Sequence, residues 1–307
     1  MDEHSTYYDL KPMAMSPAFL IKNLFKDSLF VKNCLSLFIL VFMSFGVFAN
    51  PHLASREQIG MFKNSKTCVV LENSIGAYNF YIKDAVQKYW KSTEFEFIDT
   101  QEFEKRRHDS KYSFLVLMKS VYDNDPSGVS YNNINLVLGD PAYDMTDMPE
   151  FCSIPLSYSQ ELDTDCEFAI PAIIKFIQIH LKNLDRNRFL ISLNGLKYYH
   201  KTVGFKNKVL LLNREMLAGN ADSPEKINTV YPYYIKILSS AEILKELVID
   251  QKNTLILFHV GPSSDAGAGK CFEMIFDTEG NLCYYNYRMV TNDNEDGFNL
   301  NDFKHIR

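Results

Sequence analysis

Apolar residues along this chain fall into two rhythms, and the order in which the rhythms succeed each other occurs twice. Alternating or continuous short apolar runs mark strands, and apolar positions three or four apart mark helices. The first series opens with Lys66-Thr67-Cys68-Val69-Val70-Leu71, a β-branched run that reads as a buried strand. Over residues 78–90 the apolar side chains Tyr78, Ile82, Ala85, Val86 and Tyr89 recur at helical spacing, with Lys83, Asp84, Gln87 and Lys88 on the opposite face. Residues 95–98 alternate and predict a second strand. Asp99 with Glu102 then predicts a capping box, the first side chain taking a free N–H of the opening turn and the second reaching back. The short helix that follows ends in Lys105-Arg106-Arg107-His108, well placed for the helix dipole. Residues 113–118 are continuously apolar, as in a central strand covered on both faces. Residues 133–138 and 151–158 predict two more strands, and 168–184 a long amphipathic helix.

The second series repeats this order. Phe205-Lys206-Asn207 and the strand after it echo Phe62-Lys63-Asn64 and its strand. Ser223-Pro224-Glu225 signals a helix start, Ser at the cap and Pro in the first turn. Residues 235–238 form the second strand, and Ser239 with Glu242 repeats the capping box at the spacing of Asp99 and Glu102. Residues 254–260 form the central strand, residues 271–276 and 282–290 a hairpin around the turn at 277–281, and 299–307 a terminal helix. Strands alternating with helices indicate α/β layers, and the late hairpin adds antiparallel strands to each sheet. The expected fold is therefore α/β in two similar lobes from an internal duplication, each lobe a mixed sheet with helices packed on it. The expected boundaries are a leader over 1–49, a first lobe over 50–185 and a second over 186–307.

The leader rests on the uncharged run 34–49, too short for the roughly 20 residues that span a bilayer comfortably. It suits the apolar stretch of a secretory signal, and Val47-Phe48-Ala49 predicts cleavage before Asn50. An uncleaved leader would instead tether the protein to a membrane through 34–49. Met13 or Met15 would give a leader of more ordinary length.

Composition narrows the function classes without naming one. A hydrophobic fraction of 46% and a charged fraction of 23% describe an ordinary folded protein. The net charge of -6 argues against a dedicated nucleic-acid binder. The 23 Phe and 18 Tyr read as core filling, or alternatively as a stacking surface for sugars or rings. None of the six cysteines forms a C-x-x-C pair or stands at zinc-ligand spacing from a histidine. Five lie beyond the leader and read mostly as buried thiols, with Cys271 and Cys283 able to face each other across the hairpin.

Candidate chemistry is sparse. Gly267-Ala268-Gly269-Lys270 has the look of a phosphate loop but lacks its first Gly and its Ser/Thr, and a strand follows where a helix is needed. Asn292, Asn294, Asp296 and Gly297 resemble the front of a calcium loop, yet Phe303 stands where its closing Glu belongs. Asp140, Asp144, Asp147 and Glu150 crowd one loop at intervals that match no fixed cation site. His259 sits late in a central strand, where α/β sites gather, and His200 lies beside Tyr198 and Tyr199. No catalytic, cofactor or metal residue is assigned from these patterns.

The composition rich in Asn, Lys, Ile, Phe and Tyr, the signal-like leader and the 78–90 segment ahead of 95–98 together resemble secreted, uncharacterised envelope proteins of Bacteroidota. That resemblance implies an envelope location and no particular activity. The functional expectation is an exported, non-catalytic binding or interaction module. The alternative is an exported hydrolase with a dispersed site, and a membrane-tethered subunit follows only if the leader stays uncut.

Overall fold

The computed structural model describes residues 53–73, 76–122, 125–142, 144–158, 166–200, 205–249, 253–262, 267–291 and 295–307. The expected leader, its cleavage point and the first three residues of the calcium-like loop lie outside them. The described residues form one compact unit.

A helix absent from the sequence expectation opens this unit: α1 (Arg56–Lys63), capped by Ser55, whose side chain accepts from Gln58 N–H while Gln58 reaches back. The first series then builds β1 (Lys66–Leu71), α2 (Gly76–Tyr89), β2 (Phe95–Asp99), α3 (Thr100–Arg106), β3 (Tyr112–Val121), β4 (Ser130–Leu138), β5 (Glu150–Tyr158) and α4 (Ile170–Asn194). The second builds β6 (Val209–Asn213), α5 (Pro224–Asn228), β7 (Ile235–Leu238), α6 (Ser240–Ile249), β8 (Thr254–Val260), β9 (Gly269–Asp277), β10 (Leu282–Val290) and α7 (Leu300–His305). Helix α4 runs past the expected lobe boundary at 185/186, and its only non-helical dihedrals are at Asn187.

Each series makes a five-stranded sheet, with orders β2-β1-β3-β4-β5 and β7-β6-β8-β9-β10. The first three strands of each sheet are parallel and the last two antiparallel. Two identical strand orders with identical directions are what a duplication leaves behind. The repeated segments at 95–98 and 235–238 are the same edge strand of two sheets, each lying beside the first strand of its own series.

The helices show how the copies stack. In the first, α2 and α4 cover one face of the sheet, and Phe103 of α3 covers the other. In the second, Ile227 of α5 and Phe303 of α7 cover one face, and Ile243 of α6 the other. One central core takes in α2, α4 and α6 together with Leu115 and Ile134 of the first sheet and Ile256, Phe258 and Met274 of the second. The two-helix face of copy one therefore packs against the one-helix face of copy two. All seven residues of β8 are buried, as a strand with both faces covered requires.

Polar ties lock this stack. Asp125, in the β3–β4 turn, accepts from the N–H of Lys270 at 2.9 Å, and the Tyr131 hydroxyl donates to the carbonyl of Lys270. Gly269 adjoins that contact because a Cβ there would meet the Tyr131 oxygen at 2.8 Å. Lys175 donates to Thr278 O at 2.7 Å on the far side of the junction.

The two capping boxes are not alike. Ser239 and Glu242 form the full reciprocal pair, Glu242 accepting from Ser239 N–H at 2.9 Å. Asp99 caps Glu102 N–H at 2.7 Å, but Glu102 does not reach back. Two cations of its own helix hold its carboxylate, Arg106 at 2.6 Å and Lys105 at 3.1 Å. The hairpin also departs from expectation. Cys271 stands opposite Arg288, while Cys283 sits at the bulge near the turn, so the pair does not face. Among the described residues no helix is long and apolar enough to cross a membrane.

Candidate functional site

The pairing registers allow position-by-position comparison of the copies. In the first sheet Thr67 pairs with Phe95 and Ser113, and Ser113 with Leu138. In the second, Leu210 pairs with Ile235 and Leu255, and Leu255 with Asp277. Counting from these equivalent rungs, Leu117 corresponds to His259, Ile134 to Glu273, Asn132 to Cys271 and Ile154 to Asn286. In copy one, Leu117, Ile134 and Ile154 point into the central core. In copy two, a polar cluster replaces that hydrocarbon.

Its centre is Glu273, fully buried on β9. The carboxylate accepts from Asn286 Nδ2 at 3.2 Å and Arg288 Nε at 3.2 Å, with the Tyr284 hydroxyl 3.5 Å away. Alternation explains the convergence: Cys271 and Glu273 share a face of β9, and the cross-strand partners Arg288 and Asn286 share it from β10. His259 enters from the other side as the rung partner of Glu273 on β8. Burial pushes the Glu273 carboxyl up to about 7, the Asp302 charge adding to the rise while His259, Asn286 and Arg288 oppose it. Burial also pushes the Cys271 thiol far up, so it rests as a thiol.

The segment after β10 closes the cluster. Asp296 Oδ1 lies 2.8 Å from His259 Nε2, and Gly297 O accepts from Arg288 Nη2 at 2.6 Å. A carboxylate only accepts, so Nε2 carries the proton and the lone pair falls on Nδ1. Gly297 N–H, 3.2 Å from Nε2, competes for that nitrogen in the other tautomer. Nδ1 is buried with no partner among the described residues. Gly261 is required beside this contact, because a Cβ there would fall 1.9 Å from Asp296 Oδ1. Among the described residues, His259, Cys271 and Glu273 form the one set of three potential metal ligands whose donor atoms lie within 4.8 Å of one another.

The other candidates are dispersed. Asp140 and Asp144 bond the backbone N–H groups of Ala142 and Thr146, and Glu150 takes Asn135; among the described residues this loop brings no three ligand groups together. Arg106 and Arg107 are paired with Glu96, Glu102 and Glu104. Gly269 and Lys270 already belong to β9, with no helix ahead of them. His200 is exposed, its ring 4.9 Å from that of Tyr284. Sequence reasoning singled out His259 and Asp296 for unrelated reasons and missed Cys271, Glu273 and Arg288 as a set. Their ligand-type spacing exists across rungs, not along the chain.

A second feature is a cleft of about 380 Å³ at the junction of the lobes. Asn133, Ser153 and Pro155 of the first sheet, Ser192 and Leu196 at the end of α4, and Tyr285 of β10 line it. The Asn133 side-chain oxygen is buried without a partner among the described residues. Glu150, His180 and Cys152 border the cleft; the Glu150 carboxylate accepts from Asn135 at 3.2 Å, and the other two are quenched. His180 accepts from or donates to the Tyr199 hydroxyl at 2.9 Å and is driven down to about 4 by burial, and burial holds Cys152 as a thiol. No protein-family model, curated protein or solved structure matches this chain.

Proposed function

We propose that the protein is an exported, non-catalytic binding module of the cell envelope, of the kind the Bacteroidota resemblance implies, and that it holds a small polar ligand between its lobes. The observation that carries the reading is the inter-lobe cleft. Its size suits a small molecule or a short peptide stretch. Its wall offers a buried acceptor at Asn133, the hydroxyls of Ser120, Ser153 and Ser192, and the rings of Tyr122 and Tyr285. An unpaired buried acceptor costs free energy until a donor meets it, so the ligand carries N–H or O–H groups there, as a saccharide or peptide does. Among the described lining residues, His180 and Cys152 are not activated, which favours binding over turnover.

The test is thermal shift and calorimetry with a panel of monosaccharides, disaccharides and dipeptides. The expected result is at least one saturable ligand whose binding falls at least tenfold in Asn133→Leu and in Ser192→Trp. A panel without binders, or binding indifferent to both substitutions, rejects the cleft. Export is tested separately: envelope protein is expected to begin at Asn50, and an intact leader would favour a tether through 34–49 instead.

One observation favours the exported hydrolase as a second reading. His259 is oriented by Asp296 as a general base would be, with Cys271 in the same cluster. Against it, Cys271 is fully buried and its thiol is stabilised rather than activated. Hydrolysis of any panel member that disappears in His259→Gln would establish this reading over the first.

A further inference from the structure

We propose that His259, Cys271 and Glu273 bind a divalent ion of the zinc class in the second lobe, through a ring nitrogen, a thiolate and a carboxylate oxygen. The site is independent of the inter-lobe cleft.

Four features point there. The donor set comes first. Sulfur with imidazole selects a thiophilic ion such as zinc and disfavours magnesium and calcium, which take oxygen ligands. The second is the unpartnered nitrogen. His259 Nδ1 is buried with no hydrogen-bond partner among the described residues, in a side chain only 4% exposed. A buried nitrogen lone pair with nothing to accept is a standing cost unless something binds it. The third is the outer partner. Asp296 holds the opposite nitrogen at 2.8 Å, which orients the ring and favours the Nε2–H tautomer in the manner of the carboxylate that backs most metal-bound histidines. The fourth is charge. A dication with one thiolate and one carboxylate is neutral, and Arg288 keeps a carboxylate partner in Asp302, 3.7 Å from its Nε.

The geometry requires a small contraction. The three donors lie within 4.8 Å of one another, and zinc bonds of 2.0–2.3 Å draw tetrahedral ligands to about 3.5 Å apart. Side-chain rotation of that size is available, because Asp296, Asn286 and Arg288 border the site and are only partly buried. On binding, the ion displaces the Cys271 thiol proton to solvent, along with any proton on Glu273, so uptake is proton-coupled. Three protein ligands leave a fourth position for water or a ligand atom. The first lobe has Leu117, Asn132 and Ile134 at the equivalent positions and carries no such set, so the site belongs to one copy of the duplication.

The experiment uses the full chain, reduced, stripped with a chelator and titrated with zinc and with cobalt(II). The expected result is one equivalent of each bound, with a thiolate-to-cobalt charge-transfer band. That band is expected to vanish in Cys271→Ser and to persist in Cys283→Ser, which removes a cysteine on the hairpin turn. Asp296→Asn leaves all three ligands and opens no cavity, so it tests the site even if Cys271→Ser fails to fold. It is expected to weaken zinc by about 10–100-fold with the far-ultraviolet dichroism unchanged. Absence of tight zinc, a band that follows Cys283 rather than Cys271, or an Asp296→Asn affinity equal to wild type would overturn the proposal.

Discussion

Glu273 occupies in the second sheet the rung that Ile134 occupies in the first. Ile134 is core hydrocarbon, and Glu273 is a fully buried carboxyl paired with Arg288. Breaking a buried pair leaves an uncompensated charge, whereas replacing both members with hydrocarbon removes the desolvation cost altogether. With a chelator present so that no ion contributes, Glu273→Leu is expected to cost about 3 kcal/mol, the low end for a broken buried pair, because Arg288 retains Asp302 at 3.7 Å from its Nε. The double change Glu273→Leu with Arg288→Met is expected to return to within about 1 kcal/mol of wild type or above it. Urea unfolding of the two singles and the double measures this. A double variant no better than Glu273→Leu would mean that the cluster, unlike its counterpart in copy one, has no hydrocarbon equivalent.

The fold was largely legible because each element carries its own local signal. β1, β7 and β8 fall at the residues their apolar runs indicate, and the echo of 95–98 in 235–238 predicts two sheets of like order. Helix α1 escaped because it is only eight residues long and buries just Ile59 and Phe62, so its apolar repeat is too brief to stand out from the chain. Helix α4 runs ten residues longer than its amphipathic stretch, because packing on the central core carries it past Leu184. The polar cluster was illegible for a different reason. Cys271, Glu273, Asn286 and Arg288 look like ordinary alternation along each strand. Only the antiparallel register places them on one face, and only the duplication reveals that the face ought to be apolar. Asp296 stands out along the chain only as part of a calcium-like loop, and nothing between it and His259 announces their contact.

The unequal caps make a separate test. Ser239→Ala and Asp99→Ala each remove an acceptor for a first-turn N–H and are each expected to cost about 1 kcal/mol. The glutamates should separate. Glu242→Ala also strips the acceptor from Ser239 N–H, while Glu102→Ala removes only exposed pairs with Arg106 and Lys105. Glu242→Ala is therefore expected to be the more destabilising of the two in a denaturant titration. Equal losses would mean that Glu102 reaches its own cap N–H in solution.

Asp125 tests the docking of the lobes. Burial alone would raise its carboxyl, but the hydrogen bonds from Ser127 and from the N–H of Lys270 hold it below the usual range. Its folded value is thus depressed, so its contribution to stability is present above the unfolded value and is lost as pH falls through the folded one. Asp125→Ala is expected to cost about 1–3 kcal/mol, by leaving the N–H of Lys270 without its acceptor. Hydrogen exchange is the discriminating readout. The Lys270 amide is expected to lose protection, while the amides of β1 keep theirs. Faster exchange in both lobes alike would indicate global destabilisation rather than a released latch.

His180 is expected to contribute to acid sensitivity. It is buried on α4 against the rings of Phe176 and Tyr199, with Cys152 close by, and burial drives it from 6.5 down to about 4 despite a hydrogen bond with the backbone of Phe151. Between those values the unfolded chain binds a proton that the folded chain refuses, so stability falls as pH drops from about 6.5 toward 4. At about 1.4 kcal/mol per unit, the loss from this one residue is about 3 kcal/mol. His180→Gln keeps a planar polar group of similar reach and cannot titrate. Unfolding free energies measured between pH 7 and 4 are expected to be flatter for this variant by about that amount, converging with wild type or exceeding it at the acid end. A variant curve parallel to wild type throughout would place the acid sensitivity on other groups, and would show that the His180 pocket admits water and a proton without unfolding.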